Sequence, residues 1–341
     1  MAKELGIDIG TSNTTIFVRG KGIVLREPSA VAVEISTGKP IAVGEAAERM
    51  VGRTPKGIEV IKPVRNGAIA DFEIAEYMLK EFVEKALGPG SKVGATRMII
   101  AVPTDITEVE QLAVLEAAKR ACSRAKKVKP RLIQAPLAAA IGADLTVGAE
   151  NVEGSMLIDI GGGTTECAVF SLGGILKYDS LKIGGEKFDQ QIINYLKTEK
   201  NLVIGEKTAE RIKIEYATLF SETTPTTFDV LGRDIITGLP NSVQIDSTEL
   251  IETLREPVIK IIECAKLVLD GLQAEISADI AAKGLILTGG SANMRGLCEF
   301  MRTELNIPVR VADNAEECVA YGAGRCLTNS VLRALINSNL R

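Results

Sequence analysis

Two short segments that begin with aspartate decide the fold: DIGTSNTT at residues 8–15 and DIGGGTTE at residues 159–166. Each lies between two apolar runs, so each is predicted to form a strand, a tight turn and a second strand. Glycine allows the backbone of such a turn to approach a phosphate, and the N–H groups and hydroxyls of the turn can converge on an anion. Asp8 and Asp159 stand at the strand ends, where a carboxylate can hold a hydrated Mg²⁺.

The duplication of this segment is more informative than either copy. A single turn of this composition is more often an ordinary β-hairpin. Two copies with aspartate and threonine in register predict a nucleotide polyphosphate held from both sides. Neither copy matches the P-loop pattern GxxxxGK[ST], and the glycines at residues 161–163 do not match GxGxxG, because a strand is predicted to follow them. The phosphates must therefore be held without a P-loop lysine.

The composition indicates a globular protein and excludes several kinds of chemistry. The 341 residues, 46% of them hydrophobic and 25% charged, are enough for two domains. The absence of histidine excludes Ser–His and Cys–His catalysis and the commonest zinc ligand. Six cysteines without CxxC spacing indicate reduced, buried thiols. The net charge of −4, with dispersed Lys and Arg, argues against nucleic-acid binding.

Predicted strands and helices alternate and repeat. The first half has strands at residues 5–9, 14–19, 22–27, 97–102 and 131–134, and the second half has strands at 156–160, 165–171, 174–183 and 284–288. Each half thus reads as a three-strand meander followed by strand–helix units, and both begin on an aspartate-led turn. More polar segments at 31–65 and 184–245 interrupt the two copies and are interpreted as insertions.

Helix signals lie between these strands. Thr107 and Glu110 predict a capping box, and Asn314 with Glu317 predicts a second capped helix near the C-terminus. The apolar residues of the first of these helices recur at helical spacing: Leu112, Leu115, Ala118 and Cys122. Phe188, Ile192 and Leu196 mark the buried side of another helix. Residues 247–272 predict a long helix in which Pro257 would cause a kink or a break.

Longer stretches of the chain resemble a known family. DIGTSNT, VPTDITEVEQLAVLEAAKRA, DIGGGTTE, GGEKFD, TAERIK and ILTGGSANMRGL occur in the order and spacing of the actin-like ATPases. KGIVLREPSAVAV, NGAIADFE and APLAAAIGA are similar to the bacterial actin homologue MreB, the rod shape-determining protein. The resemblance runs from about residue 4 to 330. It implies an α/β actin-like ATPase fold, in which two ribonuclease-H-like halves each carry an inserted subdomain and enclose a nucleotide cleft.

The resemblance also implies a domain organisation and a function. We expect a first core subdomain at residues 1–30, 66–142 and 314–341 with an insertion at 31–65, and a second at 143–183 and 246–313 with an insertion at 184–245. The implied ligands are ATP and Mg²⁺, and the implied partner is the protein itself, in double filaments formed by ATP-dependent polymerisation. A role in cell shape, through the wall-synthesis and membrane-associated machinery, follows from the same resemblance.

Site residues carry over from the family position by position. Residues from both turns are expected to face the β- and γ-phosphates: Thr11, Ser12, Asn13, Thr14, Gly161, Gly162, Gly163 and Thr164. Asp8 and Asp159 would hold Mg²⁺ through water. Glu210 and Lys213 would reach the adenosine, although without the family a solvated ion pair at this spacing is the simpler interpretation. The base pocket would be closed by a segment that alone would be an ordinary loop: Gly289, Gly290, Ser291 and Ala292.

The chain departs from the family where the attacking water is oriented. The family motif is Glu-Glu-Pro, whose second glutamate orients the water, whereas this chain has Gln134, Ala135 and Pro136. Alanine can neither hydrogen-bond a water nor accept its proton, so we expect a weak ATPase, slower by roughly 10²–10⁴-fold. Thr164 and Asp159 remain as catalytic candidates. Gln134 could substitute for the missing glutamate only from the neighbouring position. Adjacent side chains on a strand face opposite ways, so we expect its side chain to face away from the water.

A membrane contact is one interpretation of the C-terminus. Its apolar residues are interspersed with two arginines: Val331, Leu332, Arg333, Leu335, Ile336, Leu340 and Arg341. Such a stretch could lie on a lipid surface, while a terminal helix packed on the core explains the same spacing. Because no apolar run reaches membrane-spanning length, we expect a cytoplasmic protein, at the inner face of the cell membrane if this stretch binds lipid.

Two other functions are compatible with the same fold. A small-molecule kinase would need an aspartate base beside an acceptor pocket, and no motif indicates one. A chaperone-like module related to the seventy-kilodalton heat-shock family is favoured by GGEKFD and TAERIK, but it would require a peptide-binding domain as well. Sedimentation with Mg-ATP separates these alternatives from a polymerising protein, because only filaments sediment.

Overall fold

The computed structural model describes residues 3–88, 96–122, 127–145, 147–148, 150–220, 225–329 and 332–333. The strands in chain order are β1 (Lys3–Ile9), β2 (Asn13–Val18), β3 (Gly22–Pro28), β4 (Val31–Glu34), β5 (Lys39–Val43), β6 (Ile58–Ile61), β7 (Val64–Arg65), β8 (Ala68–Ile69), β9 (Thr96–Val102), β10 (Val128–Gln134), β11 (Ser155–Ile160), β12 (Thr165–Ser171), β13 (Gly174–Leu181), β14 (Leu202–Val203), β15 (Thr227–Asp234), β16 (Pro240–Asp246), β17 (Leu285–Thr288) and β18 (Val309–Val311).

The helices are α1 (Glu45–Glu48), α2 (Phe72–Leu87), α3 (Glu108–Ala121), α4 (Ala135–Gly142), α5 (Gly185–Glu199), α6 (Glu206–Glu215), α7 (Glu249–Leu269), α8 (Ala274–Lys283), α9 (Leu297–Leu305) and α10 (Cys318–Thr328). Short 3₁₀ helices lie at Gly290–Asn293 and Ala315–Glu317.

Two five-stranded sheets share one topology, which confirms the duplication predicted from the sequence. In the first sheet the order is β3-β2-β1-β9-β10, with β1 to β3 antiparallel and β9 and β10 parallel to β1. In the second sheet the order β13-β12-β11-β17-β18 repeats this arrangement strand for strand. Asp8 and Asp159 therefore occupy equivalent places, near the carboxyl ends of β1 and β11.

Two helices pack against each other and join the sheets. The apolar core around α4 and α10 takes side chains from both sheets, namely Ile99, Ala101, Ile133, Leu157, Ala168 and Phe170. Glycine allows the two helix backbones to touch. A Cβ at Gly142 would overlap the carbonyl oxygen of Cys318, and a Cβ at Gly322 would overlap that of Ala138. The spacing of the two halves is therefore set by backbone contact rather than by long side chains.

Smaller sheets lie within the two ranges predicted as insertions. The sheet β5-β4-β6 belongs to residues 31–65, and β14-β15-β16 belongs to residues 184–245 together with α5 and α6. The predicted buried side of α5 is confirmed, since Phe188, Ile192 and Leu196 are fully buried. The boundaries of the four subdomains stay a prediction.

The helix termini agree with the sequence in one case and differ in another. The capping box at the start of α3 is confirmed: the Thr107 hydroxyl accepts the Glu110 N–H at 3.3 Å, and Glu110 accepts the Thr107 N–H at 2.9 Å. The predicted capping by Asn314 and Glu317 is wrong. Asn314 has a left-handed backbone, its side chain caps nothing, and a 3₁₀ turn intervenes before α10 begins at Cys318.

Two further predictions about helices are corrected. Leu112 was expected to be buried but is 65% exposed, whereas Ala118 and Cys122 of the predicted stripe are buried, together with Val114, Ala117 and Ala121. The break expected at Pro257 does not occur, because α7 runs from Glu249 to Leu269, while the kink stays a prediction. The helix continues because its apolar residues on both sides of the proline are buried in the core of the second half.

Candidate functional site

The carboxyl ends of the two sheets border a shared cavity of about 400 Å³. Most of the predicted site residues line it: Asp8, Thr11, Ser12, Asn13, Asp159, Gly161, Gly162, Glu210, Lys213, Gly289, Gly290 and Ser291. The structure thus brings together residues from four separate segments of the chain. The other predicted residues lie outside this lining: Thr14, Gln134, Gly163, Thr164 and Ala292.

The two aspartate-led turns have the same hydrogen-bonded geometry. The Gly10 N–H donates to the Asn13 carbonyl at 3.1 Å, and the Gly161 N–H donates to the Thr164 carbonyl at 2.9 Å. The turns also touch, since a Cβ at Gly162 would overlap the Ser12 side chain. Glycine in the second turn is therefore needed for the halves to meet as well as for an anion to approach.

Residues outside the lining support the turns from behind. Thr14 is fully buried, and its hydroxyl lies 2.9 Å from that of Ser29. Gly163 packs against Thr11, and Thr164 contributes its carbonyl to the turn. Ala292 is buried in the apolar core of the second half.

Neighbouring segments hold the second turn from its outer side. The N–H groups of Gly185 and Glu186, in the GGEKFD stretch, donate to the carbonyls of Gly161 and Gly162 at 3.0 and 2.8 Å. The Ser291 hydroxyl donates to the same Gly161 carbonyl at 3.0 Å. The start of α5 and the Gly-Gly-Ser segment therefore act together to fix the turn.

The two aspartates are surrounded by protein and face the cavity. Burial, followed by the negative charge of Asp159, raises the pKa of Asp8 to about 7. Burial also raises the pKa of Asp159 to about 6, although its carboxylate accepts a hydrogen bond from the Thr288 hydroxyl at 2.7 Å. No cation among the described residues lowers the pKa of either carboxyl.

The cations of the cavity are already engaged with other acids. Arg26 pairs with Glu316, and Lys213 lies 2.9 Å from Asp189 and donates to the Gly185 carbonyl at 3.1 Å. Lys213 is therefore not part of a solvated pair with Glu210, the simpler alternative from sequence. Four acidic residues line the cavity against two basic ones, Arg26 and Lys213, so the cavity carries a net negative charge.

Sequence reasoning missed another acid at the site, the buried Glu166. It stands beside Asp159 on β12, is 4% exposed, and accepts the Thr104 N–H from the first half at 2.8 Å. Burial raises its pKa to about 8; the hydrogen bond from Thr104 acts in the opposite direction, and Asp159 and Asp105 raise the pKa further. The sequence signal was available, because Glu166 ends the DIGGGTTE segment.

The apolar wall of the cavity was also missed as a site. It consists of Phe188, Ile214, Met294 and Val319. Phe188 was recognised only as the core side of a helix, and the sequence gives no sign that the same ring also borders a cavity. Arg26 had no signal either, because its partner Glu316 is 290 residues away.

The Gln134–Ala135 junction departs from a simple strand. β10 ends at Gln134 and α4 begins at Ala135. The alternation of a strand, which would place these two side chains on opposite faces, therefore does not apply to them. Ala135 packs against the core between the sheets. Gln134 has a buried Oε1 atom for which the described residues offer no hydrogen-bond partner.

Two equivalent sheets that present aspartate-led turns to one cavity define the actin-like fold. A family model described as "MreB/Mbl protein" matches residues 2–334. The chain is 48% identical to the cell shape-determining protein Mbl of Bacillus subtilis, over 96% of each protein. It is 41% identical to the cell shape-determining protein MreB of Escherichia coli, over 96% of this chain and 93% of that protein.

Solved structures agree with these sequence matches. MreB5 of Spiroplasma citri bound to ADP superposes with a TM-score of 0.90 at 31% identity, covering 100% of this chain and 99% of that one. The MamK double helical filament shares the fold, with a TM-score of 0.80 at 21% identity over 96% of this chain and 99% of that one. The chain belongs to the MreB/Mbl family, and it is a cytoskeletal protein of the MreB type.

The predicted C-terminal lipid contact lies largely outside the described residues, which include only Leu332 and Arg333 of that stretch. Leu332 packs against the core between the sheets. No helix in the described part of the chain has both the length and the apolar character required to cross a bilayer.

We expect Glu166→Gln to make the ligand-free protein more stable at high pH. The folded-state pKa of about 8 lies above the ordinary value of 4.5. The folded state therefore binds more protons than the unfolded state between these values, and the free energy of unfolding falls as pH rises through this window. Glutamine stays neutral and can still accept the Thr104 N–H. Urea unfolding at about pH 5 and about pH 9 should show a gain for the variant that is much larger at the higher pH.

The matched control is Glu275→Gln, which alters an exposed glutamate on α8. This variant should follow the wild-type dependence on pH. Equal midpoints for wild type and Glu166→Gln at both pH values would show that the buried carboxyl does not carry the pH dependence.

Proposed function

We propose that the chain binds ATP with Mg²⁺ in the cavity between its halves, polymerises with itself in response, and hydrolyses the nucleotide slowly. Filaments formed in this way would organise cell shape and wall synthesis at the cytoplasmic face of the membrane, with wall-synthesis and membrane-associated machinery as partners. The observation that carries the proposal is the pair of equivalent turns, each led by an aspartate, that border one cavity.

The nucleotide proposal combines the geometry of the turns with the comparisons. Thr11 and Ser12 of the first turn and Gly161 and Gly162 of the second turn line the same cavity, so hydroxyls and backbone N–H groups from both turns could bind phosphate oxygens placed in it. Glu210 and Lys213 lie on the adenosine side with the Gly289–Ser291 segment, next to the apolar wall that can accept a base. MreB5 of Spiroplasma citri, which is 31% identical to this chain, was solved bound to ADP. That structure supports the same ligand here.

The residues of the cavity fit a hydrated magnesium ion. Asp8 and Asp159 are acids with raised pKa values and no nearby free cation, and the cavity would repel a bare triphosphate because its acids outnumber its bases. The described residues contain no cluster of three or more side chains suited to direct coordination, which agrees with binding through water. When bound, the ion neutralises charge on the phosphate oxygens. Asp8 and Asp159 would hold it from opposite halves.

Calorimetric titration with ATP tests the site. We expect binding with Mg²⁺ present, and binding at least about tenfold weaker without Mg²⁺ or in the Asp159→Asn variant, because a neutral amide no longer attracts the cation. Asp229→Asn, on the exposed side of β15, is the control and should bind as wild type does. No heat of binding with Mg-ATP would refute the nucleotide site, whereas equal affinity with and without the metal would refute the Mg²⁺ assignment alone.

Slow hydrolysis follows from the residues at the end of β10. Ala135 occupies the family position that orients water and offers no polar atom. Gln134 brings an unpaired buried oxygen to the strand–helix junction, and Thr164 and Asp159 are the other candidates for orienting water. An amide can accept a hydrogen bond from water but cannot take its proton, so positioning without general-base assistance is what this set provides.

We expect Ala135→Glu to accelerate ATP hydrolysis in single-turnover measurements, by up to roughly 10²–10⁴-fold, because it restores a carboxylate at the water-orienting position. Ala135→Gln supplies a side chain of the same size without a basic oxygen and is the matched control. Similar rates for Ala135→Glu, Ala135→Gln and wild type would show that this position does not limit hydrolysis.

Two exposed apolar patches support the proposal of self-assembly. The hairpin patch is the turn region between β15 and β16, with Leu231, Ile235, Ile236 and Leu239. The turn patch consists of Val152, Leu172 and Leu267. Large apolar side chains exposed in groups often mark an interaction site.

The patches lie toward opposite ends of the second half. Ser155, at the start of β11, pairs with Phe170. The β12–β13 turn with Leu172 therefore lies at the end of the strands that is remote from Asp159. The hairpin patch belongs to the insertion at 184–245. This insertion leaves the sheet after Leu181, at the end of the strands that borders the cavity. Contact between two different patches on successive copies is heterologous and extends without closing, as a filament requires.

We expect Ile236→Asp and Leu267→Asp each to abolish sedimentation with Mg-ATP, because each places a charge in a patch that would otherwise be desolvated by the next copy. These side chains are 79% and 61% exposed, so the fold should tolerate the change. Ile236→Val retains the apolar contact and is the control. Nucleotide binding should be unchanged in all three variants, and normal sedimentation of both aspartate variants would exclude the hairpin and turn patches as the filament contact.

A further inference from the structure

Three ion pairs connect the two inserted regions beside the cavity. Lys62, which follows β6, lies 2.9 Å from Glu186 and 3.9 Å from Glu206. Lys207 lies 2.8 Å from Glu48 at the end of α1. We call these five residues the clasp. The clasp joins the insertion at 31–65 to the insertion at 184–245, although the two are far apart in sequence.

We propose that the clasp holds the two inserted regions together over the bound nucleotide and sets the rate at which the nucleotide leaves. The inference rests on the nucleotide site proposed above and assigns its regulation to residues outside the lining of the nucleotide cavity.

The clasp lies directly outside the first cavity. A second cavity of about 420 Å³ shares Ser12 and Glu210 with the first, and all five clasp residues line it. Asp189 belongs to the second cavity, while its partner Lys213 belongs to the first. Ser12, Glu210 and the Asp189–Lys213 pair therefore lie between a ligand in the first cavity and the clasp.

Both sides of the clasp are connected to the turns that would hold phosphate. Glu186 donates its backbone N–H to the Gly162 carbonyl at 2.8 Å. On the other side, Lys62 leads into the β7–β8 hairpin, where the Gly67 N–H donates to the Thr11 hydroxyl at 3.1 Å. A change in either turn on nucleotide binding would therefore alter the distance between Lys62 and Glu186.

The contact between the inserted regions is polar, which suits a joint that opens and closes. The apolar side chains of the 31–65 region and those of the 184–245 region belong to separate described clusters. The Lys62 and Glu186 side chains are 33% and 37% exposed, so water can replace the contact when it breaks. Burial acts to lower the pKa of Lys62, but Glu186, Glu206 and Glu48 outweigh burial and raise it. The lysine therefore stays charged at neutral pH.

The test is the rate at which a fluorescent adenine nucleotide with Mg²⁺ leaves the full-length protein when chased with excess ATP. It is run at protein concentrations at which nothing sediments, so that polymer does not trap the ligand. Lys62→Gln and Glu186→Gln should each release the nucleotide about fivefold faster than wild type, the upper range for a partly exposed ion pair. Lys62→Arg retains the charge and should release at a rate within about twofold of wild type.

A double variant distinguishes the ion pair from two unrelated effects. If both residues act through one contact, Lys62→Gln combined with Glu186→Gln should release less rapidly than the product of the single effects. Added salt should accelerate release from wild type more than from Lys62→Gln, because salt screens the pair. Lys260→Gln removes an exposed ion pair with Glu256 on α7 and is the control that should change nothing.

The outcomes separate the clasp from the site on which it depends. Tight nucleotide binding combined with wild-type release from Lys62→Gln and Glu186→Gln would overturn the clasp and leave the nucleotide site standing. Fully multiplicative effects in the double variant would overturn it as well. Absence of nucleotide binding to wild type would overturn the proposed function and the clasp together.

Discussion

The backbone contact between α4 and α10 is the constraint on which the rest of the structure depends. Gly142 and Gly322 let the two helices touch, and the core around them draws side chains from both sheets. Gly6 extends the same contact to β1, because a Cβ there would overlap the backbone of Gly324. The strand that carries Asp8 is thus seated directly on α10. Since interiors of this density do not deform continuously, the separation of the two turns is fixed by these contacts.

The fixed separation brings negative charges together. Asp8 and Asp159 lie close enough for one to raise the pKa of the other, and Glu166 adds a third acid from the neighbouring strand. The two cations of the cavity are held by other partners. Such an arrangement is costly for an unliganded protein, and it is suited to a ligand that brings positive charge with it. The charge of the cavity is therefore consistent with the metal-bound nucleotide proposed above.

Much of the fold could be predicted from the sequence because it repeats. The meander of each half, the strands at 97–102 and 284–288, and the buried stripes of α5 and α7 all follow from apolar periodicity. Predictions failed where a short signal competed with packing. Asn314 has the composition of a helix cap, but its left-handed backbone starts a 3₁₀ turn instead. Leu112 fits a helical stripe, but it lies on the exposed side of α3, whose buried residues include Val114, Ala117 and Ala118.

Parts of the site were beyond sequence reasoning for a different reason. The turns were found because their chemistry is local, whereas Arg26 and Glu316 meet only through the fold. Glu166 ends a segment that was recognised, but its burial depends on the other half of the molecule, where the Thr104 N–H donates to it. The clasp combines residues from two insertions, neither of which carries a motif for the contact.

The buried acids also bear on how long the protein survives in a cell. A chain that holds three carboxyls close together has a lower free energy of local opening when no ligand compensates their charge, and opened segments are substrates for proteases. Ligand binding protects the folded form by mass action. Under the function proposed above, bound nucleotide would therefore slow the degradation of the subunit as well as support its assembly.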